Sequence, residues 1–422
     1  MKSEVLSASP NHVSTLAPVT RFRRSWCACA LALLFTLGLA VTSFAQARTL
    51  TVLHTFGNIN DGANPQAGLI RDPGGNFYGV TTAGGTHNLG TVFKLDSGGT
   101  ETVLYSFSGG TDGRYPIGGL IRDGAGNLYG TTVGGAPGGP GFGTVFKLDS
   151  AGHETTLYTF TGGTDGASPS GTLLRDASGN LYGTTQNGGI NCGNGCGTVF
   201  KVDPAGHETV LYSFTGGTDG SNPVVGVIRD AAGNFYGTAS AGGDLSACTI
   251  PGVPSGCGVV FKLDGTGSFS VLYTFSGGAD GGNPASPLLL DAAGNLYGTA
   301  ARGGLTACQF GCGTLFKLDT SETLTVLYSF PGTTDANTPT GPLLRDSAGF
   351  IWGTTTGGGR VSLGTVYRVD AAGHAIKLHS FTAGSDGGSP YGGVIRDAAG
   401  NFYGTAIGGG SNAAGTIFKL SQ

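Results

Sequence analysis

The chain has 422 residues, of which 82 are glycine, and only 11% of its residues are charged. Hydrophobic residues make up 39%, which excludes disorder caused by low hydrophobicity and high charge. Glycine follows no strict three-residue period, so the chain is not collagen-like. The formal net charge is −4 and no run of basic residues reaches five, so we expect no nucleic-acid partner.

The first 47 residues have the pattern of an export signal. Arg21, Arg23 and Arg24 precede an apolar stretch at residues 26–41, and residues 43–47 read S-F-A-Q-A. Small residues at these positions fit a signal-peptidase site. We therefore predict a signal peptide at residues 1–47 and a periplasmic or extracellular protein with no membrane span after cleavage. The alternative is an uncleaved anchor, since about 20 apolar residues can cross a bilayer.

Residues 48–422 consist of one unit that occurs seven times. Four blocks recur in the same order, which are G-L-I-R-D, G-N-L-Y-G-T, G-T-V-F-K-L-D and V-L-Y-S-F. Self-similarity at a fixed period of this length is typical of repeat architectures. The aromatic residue of the second block marks the period of 51 to 61 residues, at Tyr78, Tyr129, Tyr182, Tyr236, Tyr297, Trp352 and Tyr403.

The blocks predict short β-strands, because they are rich in β-branched and aromatic residues and are bounded by Gly, Pro and Asp. Four antiparallel strands per unit are typical of a propeller blade, and seven units lie within the usual range. The chain has an unpaired V-L-Y-S-F block at Thr49–Phe56 and ends on a G-T-V-F block at Gly415–Leu420. We therefore predict an all-β, seven-bladed β-propeller of four-stranded antiparallel blades, in which the N-terminal strand completes the last blade.

Two of the blocks also carry a family resemblance. Residues 181–185 read L-Y-G-T-T, residues 197–203 read G-T-V-F-K-V-D, and a D-G-x-x-P turn recurs between units. Over residues 49–422 the chain resembles the Gloeo/Verruco (GloVer) tandem repeat of "choice-of-anchor" exported proteins, and more distantly NHL-type β-propellers. The resemblance implies a bacterial exported or cell-surface protein and implies no catalytic residues. We expect no C-terminal anchoring segment here.

The D-G-x-x-P loops supply the most regular set of candidate ligands. In a propeller these loops share one face with the loops that precede G-T-V-F, and loops carry function. Their carboxylates can form a ring that binds a cation such as calcium or the hydroxyls of a sugar. The alternative is that each Asp caps its own turn. The residues of this ring are Asp61, Asp112, Asp165, Asp219, Asp280, Asp335 and Asp386.

The cysteines outside the signal form three local pairs in the loops before G-T-V-F. The spacings and the export signal favour disulfides over a metal site, since no His lies beside any pair. We predict three bridges, which are Cys192–Cys196, Cys248–Cys257 and Cys308–Cys312.

For function, the near-identical units favour a non-catalytic binding or scaffold protein of the bacterial cell envelope. We expect a monomer with a polysaccharide or protein partner at the cell surface and no cofactor other than calcium. The alternative is a propeller enzyme, a lactonase, lyase or glycosidase, that acts at the central mouth. Such an enzyme needs nonrepeating charged residues that converge there, and the candidates for these are Asp244, Arg302 and Glu322.

Overall fold

The computed structural model describes residues 48–57, 60–135, 141–190, 195–246, 248, 256–332 and 335–421. The predicted signal peptide lies outside these residues. The described part contains 31 β-strands and no helix.

The strands group into seven antiparallel sheets, which we number as blades 1 to 7 in chain order. Blade 1 contains β2 (Ile70–Arg71), β3 (Phe77–Thr81), β4 (Thr91–Leu95) and β5 (Glu101–Ser106), and blade 2 contains β6 (Ile121–Arg122), β7 (Leu128–Thr132), β8 (Thr144–Leu148) and β9 (Glu154–Thr159). Blade 3 contains β10 (Ala167–Pro169), β11 (Leu174–Arg175), β12 (Leu181–Asn187), β13 (Thr198–Val202) and β14 (Glu208–Ser213), and blade 4 contains β15 (Ile228–Arg229), β16 (Phe235–Ala239), β17 (Val259–Leu263) and β18 (Phe269–Thr274). Blade 5 contains β19 (Gly282–Pro284), β20 (Leu289–Leu290), β21 (Leu296–Arg302), β22 (Thr314–Leu318) and β23 (Leu324–Ser329), and blade 6 contains β24 (Asn337–Pro339), β25 (Leu344–Arg345), β26 (Ile351–Gly357), β27 (Thr365–Val369) and β28 (Ala375–Ser380). Blade 7 contains β29 (Val394–Arg396), β30 (Phe402–Ala406), β31 (Thr416–Ser421) and β1 (Thr49–Thr55).

Blade 7 confirms the predicted closure of the ring. Its strand order is β1-β31-β30-β29, so the first strand of the described chain is the outer strand of the last blade. The pairing runs from Thr49 opposite Ser421 to Thr55 opposite Thr416. The two ends of the propeller are thereby held in one sheet, which removes an open edge.

The innermost strand of each blade is not one continuous strand. It consists of two pieces. One is a strand of two or three residues, and the other is a short strand or a single β-bridge that comes earlier in the chain, as β10 comes before β11 in blade 3. The backbone between the two pieces bonds across the blade boundary instead. The Thr184 hydroxyl of blade 3, for example, donates to the Val225 carbonyl of blade 4 at 2.8 Å. Proline at the start of this segment also has no amide to give to a ladder.

The hydrophobic core lies between blades. The Phe that ends each outer strand packs edge-on against the aromatic residue of the T-V-F strand in the next blade, with ring centroids 5.0 to 5.3 Å apart. Edge-to-face contacts at this separation are favourable beyond the area they bury. The seven pairs are Phe56–Phe93, Phe107–Phe146, Phe160–Phe200, Phe214–Phe261, Phe275–Phe316, Phe330–Tyr367 and Phe381–Phe418.

A glycine and a proline form a second joint at every blade boundary. Gly90 precedes β4 with a φ of +103°, and a Cβ added to it would lie 2.6 Å from Cδ of Pro116 in the next blade. No other residue type combines this backbone with this approach. The same contact joins Gly143 to Pro169, Gly197 to Pro223, Gly258 to Pro284, Gly313 to Pro339, Gly364 to Pro390 and Gly415 to Pro65.

The residue before each of these prolines has a left-handed backbone, with φ between 54° and 58°. The N–H of Tyr115, in this position, donates across the boundary to the carbonyl of Leu89 at 2.8 Å. Asn tolerates the left-handed region, whereas larger or β-branched residues adopt it at a cost. The seven residues are Asn64, Tyr115, Ser168, Asn222, Asn283, Thr338 and Ser389.

We predict that Gly143→Ala destabilises the propeller by about 2 to 4 kcal/mol, through the left-handed backbone and the collision with Pro169. The measurement is urea unfolding of the oxidised protein. Gly124→Ala in the same blade is the matched control, because nothing lies within 4 Å of its added Cβ. We expect that control to change stability by less than about 1 kcal/mol. Equal effects of the two substitutions would contradict this role for the joint.

Candidate functional site

The strand pairing defines two faces of the propeller. Thr81, Thr91 and Ser106 lie side by side at one end of blade 1, next to the D-G-x-x-P loop and the loop that contains Gly84-Gly85. The D-x-x-G turns lie at the other end. We call these the upper face and the lower face, and the predicted division of the loops between them is confirmed.

All seven Asp residues of the predicted ring lie on the upper face, and six of them cap their own turns. Asp112 accepts hydrogen bonds from the Tyr105 hydroxyl at 3.0 Å, from the Ser108 amide at 2.6 Å and from the Ser108 hydroxyl at 2.7 Å. The equivalent backbone amide binds the carboxylate in five further loops, at Asp61, Asp165, Asp219, Asp280 and Asp386. In the remaining loop, Asp335 accepts from the Tyr328 hydroxyl. Binding of a cation or a sugar by this ring stays a prediction.

At two blade boundaries a half-buried Glu lies beside an Asp of the ring, Glu101 beside Asp61 and Glu208 beside Asp165. Burial raises the pKa of Glu101 to about 7, and the charge of Asp61 adds to the shift. Burial and Asp165 likewise raise the pKa of Glu208 to about 7. One carboxylate oxygen of each Glu is buried without a hydrogen-bond partner in the described part of the chain. These two carboxyl groups therefore keep their protons to a higher pH than a solvated Glu does.

Two of the predicted disulfides are present, Cys248–Cys257 and Cys308–Cys312, each with its Cα atoms 5.2 Å apart. Cys196 is also disulfide-bonded, whereas Cys192 lies outside the described residues. The second cysteine of each pair is buried in a core cluster between blades. The bridges therefore tie upper-face loops to the core. Disulfides persist in oxidising compartments, which indicates an exported environment.

A cavity of about 340 Å³ lies on the propeller axis, where the innermost strands of all seven blades meet. The backbones of neighbouring blades are in direct contact around it. A Cβ added to Gly118, for instance, would lie 2.7 Å from the carbonyl oxygen of Gly171. Each blade contributes the residue that follows its joint proline, and these are Gln66, Ile117, Ser170, Val224, Ala285, Thr340 and Tyr391.

This lining position distinguishes the seven units from one another. The four recurring blocks repeat nearly unchanged, whereas at this position the seven units carry seven different side chains. Among the described residues that line the cavity there is no carboxylate, imidazole, ammonium or guanidinium group. Such a wall can form hydrogen bonds and apolar contacts, and the lining residues supply no carboxylate or imidazole as a general base.

The polar side chains of the cavity are held in place by hydrogen bonds on blades 3 to 5. The Gln186 amide donates to the Ser170 hydroxyl at 2.7 Å, and that hydroxyl donates to the Val224 carbonyl at 2.9 Å. The Asn283 amide donates to the Ser240 carbonyl at 3.0 Å. Fixed amide groups of this kind are typical of sites that orient a ligand.

Two further lining residues have unused hydrogen-bonding groups. Thr340 is 7% exposed, and its hydroxyl has no hydrogen-bond partner within the described residues. Such a buried group is costly unless something binds it. Tyr391 is 38% exposed at the cavity, and burial raises the pKa of its phenol, which therefore remains a neutral donor.

The three nonrepeating charged residues do not converge on this cavity. Asp244 is hydrogen-bonded to Ser246 in an upper-face loop, and the Arg302 guanidinium lies over the Phe310 ring at 5.0 Å. Glu322 lies in the turn between β22 and β23, on the lower face. None of the three is among the described lining residues.

No shared motif marks the cavity residues in the sequence. The signal that points to them is variation between units, both at the position after the D-G-x-x-P proline and at the position of Gln186.

We predict that Glu208→Gln makes the protein more stable at pH 8 but not at pH 4. The folded state keeps the Glu208 proton up to about pH 7, whereas the unfolded chain releases it near 4.5. The protonated Glu208 therefore makes its full contribution to folding stability below pH 4.5, and that contribution is lost as the pH rises through 7. The expected gain is on the order of 1 kcal/mol after solvent screening, measured by urea unfolding at both pH values. The exposed Glu322→Gln should show no such difference, and a pH-independent effect of Glu208→Gln would contradict the prediction.

No helix within the described residues has the length and apolarity that a membrane crossing requires. Comparison with curated proteins finds no match.

Two solved structures are similar to this chain at low sequence identity. The extracellular domain assigned to a hybrid two component system from B. thetaiotaomicron has a TM-score of 0.52 and 13% identity, over 89% of this chain and 42% of that one. A gluconolactonase from Xanthomonas campestris has a TM-score of 0.43 and 14% identity, over 89% of each chain. Likeness at this level concerns the fold, not the activity.

The sequence itself matches a repeat family over the whole propeller. The Gloeobacter/Verrucomicrobia repeat matches residues 35–251 and 245–422. The matched region contains all seven copies of the four blocks. The chain therefore belongs to the Gloeobacter/Verrucomicrobia repeat family.

Proposed function

We propose that this protein is an exported propeller that binds a neutral polysaccharide of the cell surface at its axial cavity, without catalysing a reaction. The observation that carries the proposal is the ring of seven different residues around that cavity. In a repeat protein, packing keeps equivalent positions alike, so a position that differs in every unit is free of the packing constraint. Its location in a cavity gives it a role in recognition.

The composition of the wall supports a neutral, hydroxyl-rich ligand. The described lining residues offer amides, hydroxyls, backbone groups and one phenol, but no charged group to pair with an acidic or basic ligand. Burying an unpaired ligand charge against such a wall is unfavourable. Hydroxyl groups, by contrast, both donate and accept, as these partners require.

The proposal is tested by a binding screen with the exported, oxidised protein. Neutral glucans, mannans and galactans and an acidic polygalacturonate are titrated by calorimetry, with calcium and with a chelator, while chromatography monitors product. We expect saturable binding of a neutral polysaccharide, unchanged by the chelator and without product. Product formation, binding of the acidic polymer alone or no binding at all would overturn the proposal.

A matched pair of substitutions in blade 5 tests whether the binding site lies in the cavity. Ala285 lines the cavity, whereas Ala293 is exposed in a lower-face turn of the same blade. We predict that Ala285→Arg weakens binding at least about tenfold, because the long charged side chain occupies the cavity. Ala293→Arg should bind like the unaltered protein. Equal binding by both variants would contradict a site in the cavity.

A further inference from the structure

The arrangement of the cavity wall restricts how a polysaccharide can reach it, and this inference rests on the proposed function. All seven innermost strands surround the cavity, and at four blade boundaries a Cβ added to a glycine of one blade would lie within 3 Å of the backbone of its neighbour. Within the described residues, the strands therefore enclose the cavity all the way around the axis. A chain can reach the cavity only along the axis, with one end first.

The size of the cavity sets how much of the chain can enter. Its volume of about 340 Å³ is at the lower end of the range for small-molecule sites. That space suits one sugar ring rather than a stretch of polymer.

The side chains on opposite sides of the axis differ in chemistry. Tyr391 comes from blade 7 and presents the only aromatic side chain among the described lining residues. Gln186 and Asn283 belong to blades 3 and 5, across the ring, and are fixed by their bonds to Ser170 and Ser240. A pyranose ring has the matching asymmetry, with an apolar C–H face and a rim of hydroxyls.

We infer that the cavity holds the terminal neutral pyranose unit of the polysaccharide, with its C–H face on Tyr391 and its hydroxyls directed to Gln186, Asn283 and Thr340. The Thr340 hydroxyl then gains the partner that it lacks within the described protein. The amide carbonyl oxygens of Gln186 and Asn283 remain able to accept, since the bonds that orient these side chains use their N–H groups.

The first test counts chain ends. The neutral polysaccharide that binds in the screen is partly hydrolysed, so that the number of ends rises at constant mass. Recognition of ends predicts that the molar binding capacity per gram rises in proportion to the number of ends. A capacity that stays constant or falls would show binding to internal units and would overturn the inference, while the proposed function would stand.

The second test uses substitutions of Tyr391, with stability measured in parallel. Tyr391→Phe keeps the stacking surface and should bind within about threefold of the unaltered protein, whereas Tyr391→Ala should bind about tenfold more weakly. Tyr115 is the matched control, since it is also 38% exposed but lies outside the cavity lining. Tyr115→Ala should leave binding unchanged.

Unchanged binding by Tyr391→Ala would overturn the stacking arrangement. Because that variant could lose its fold, Gln186→Ala provides an independent readout from the opposite wall, and we expect it to weaken binding severalfold. Unchanged binding by Gln186→Ala would overturn the assigned orientation. Absence of any neutral polysaccharide binding by the unaltered protein would instead reject the proposed function itself.

Discussion

The structure depends on the joint between one blade and the next. At every boundary a glycine with a left-handed backbone lies against a proline of the following blade. A backbone hydrogen bond crosses the boundary beside this contact. The N–H of the residue before the proline donates to the carbonyl of the residue before the glycine, as Tyr115 does to Leu89. The edge-to-face pair of aromatic rings at the same boundary is buried. A single blade leaves both contacts unmade, so each blade depends on its neighbours for them.

This joint explains which positions of the unit carry the same residue in every blade and which positions differ between blades. The joint residues, the aromatic pair and the turn caps are needed at each boundary and recur almost without change. The Gly after each Tyr is equally constrained, because the ring of the cross-strand aromatic lies against it, as Phe93 lies against Gly79. The residue after the joint proline faces the axis instead of a neighbouring blade. Its side chain therefore differs in every unit, from Gln66 in blade 1 to Tyr391 in blade 7.

Much of the fold could be predicted from the sequence, because repetition displays each constraint seven times. The seven blades and their closure by Thr49–Thr55 are confirmed, as are the disulfides Cys248–Cys257 and Cys308–Cys312. The broken innermost strand was not predicted, since the cross-boundary bonds that replace its ladder join residues about 40 positions apart, such as Thr184 and Val225.

The candidate site was less predictable for the same reason. Repetition drew attention to the Asp ring, six of whose seven members cap their own turns, as Asp112 does for Ser108. The cavity is assembled from seven residues that have no common side chain, and only the circular arrangement of the blades brings Gln66 and Tyr391 to one wall. A motif search reports what equivalent positions share, so it does not detect a site formed by their differences.

The most direct test of this account is a hydrogen-exchange footprint of the oxidised protein with and without a saturating neutral polysaccharide. The account predicts added protection in the segments that follow the joint prolines, such as residues 66–68, 117–119 and 391–393, which surround the axis. It predicts no change in the D-x-x-G turns of the lower face. Protection confined to the lower face or to the outer strands would contradict recognition at the axial cavity.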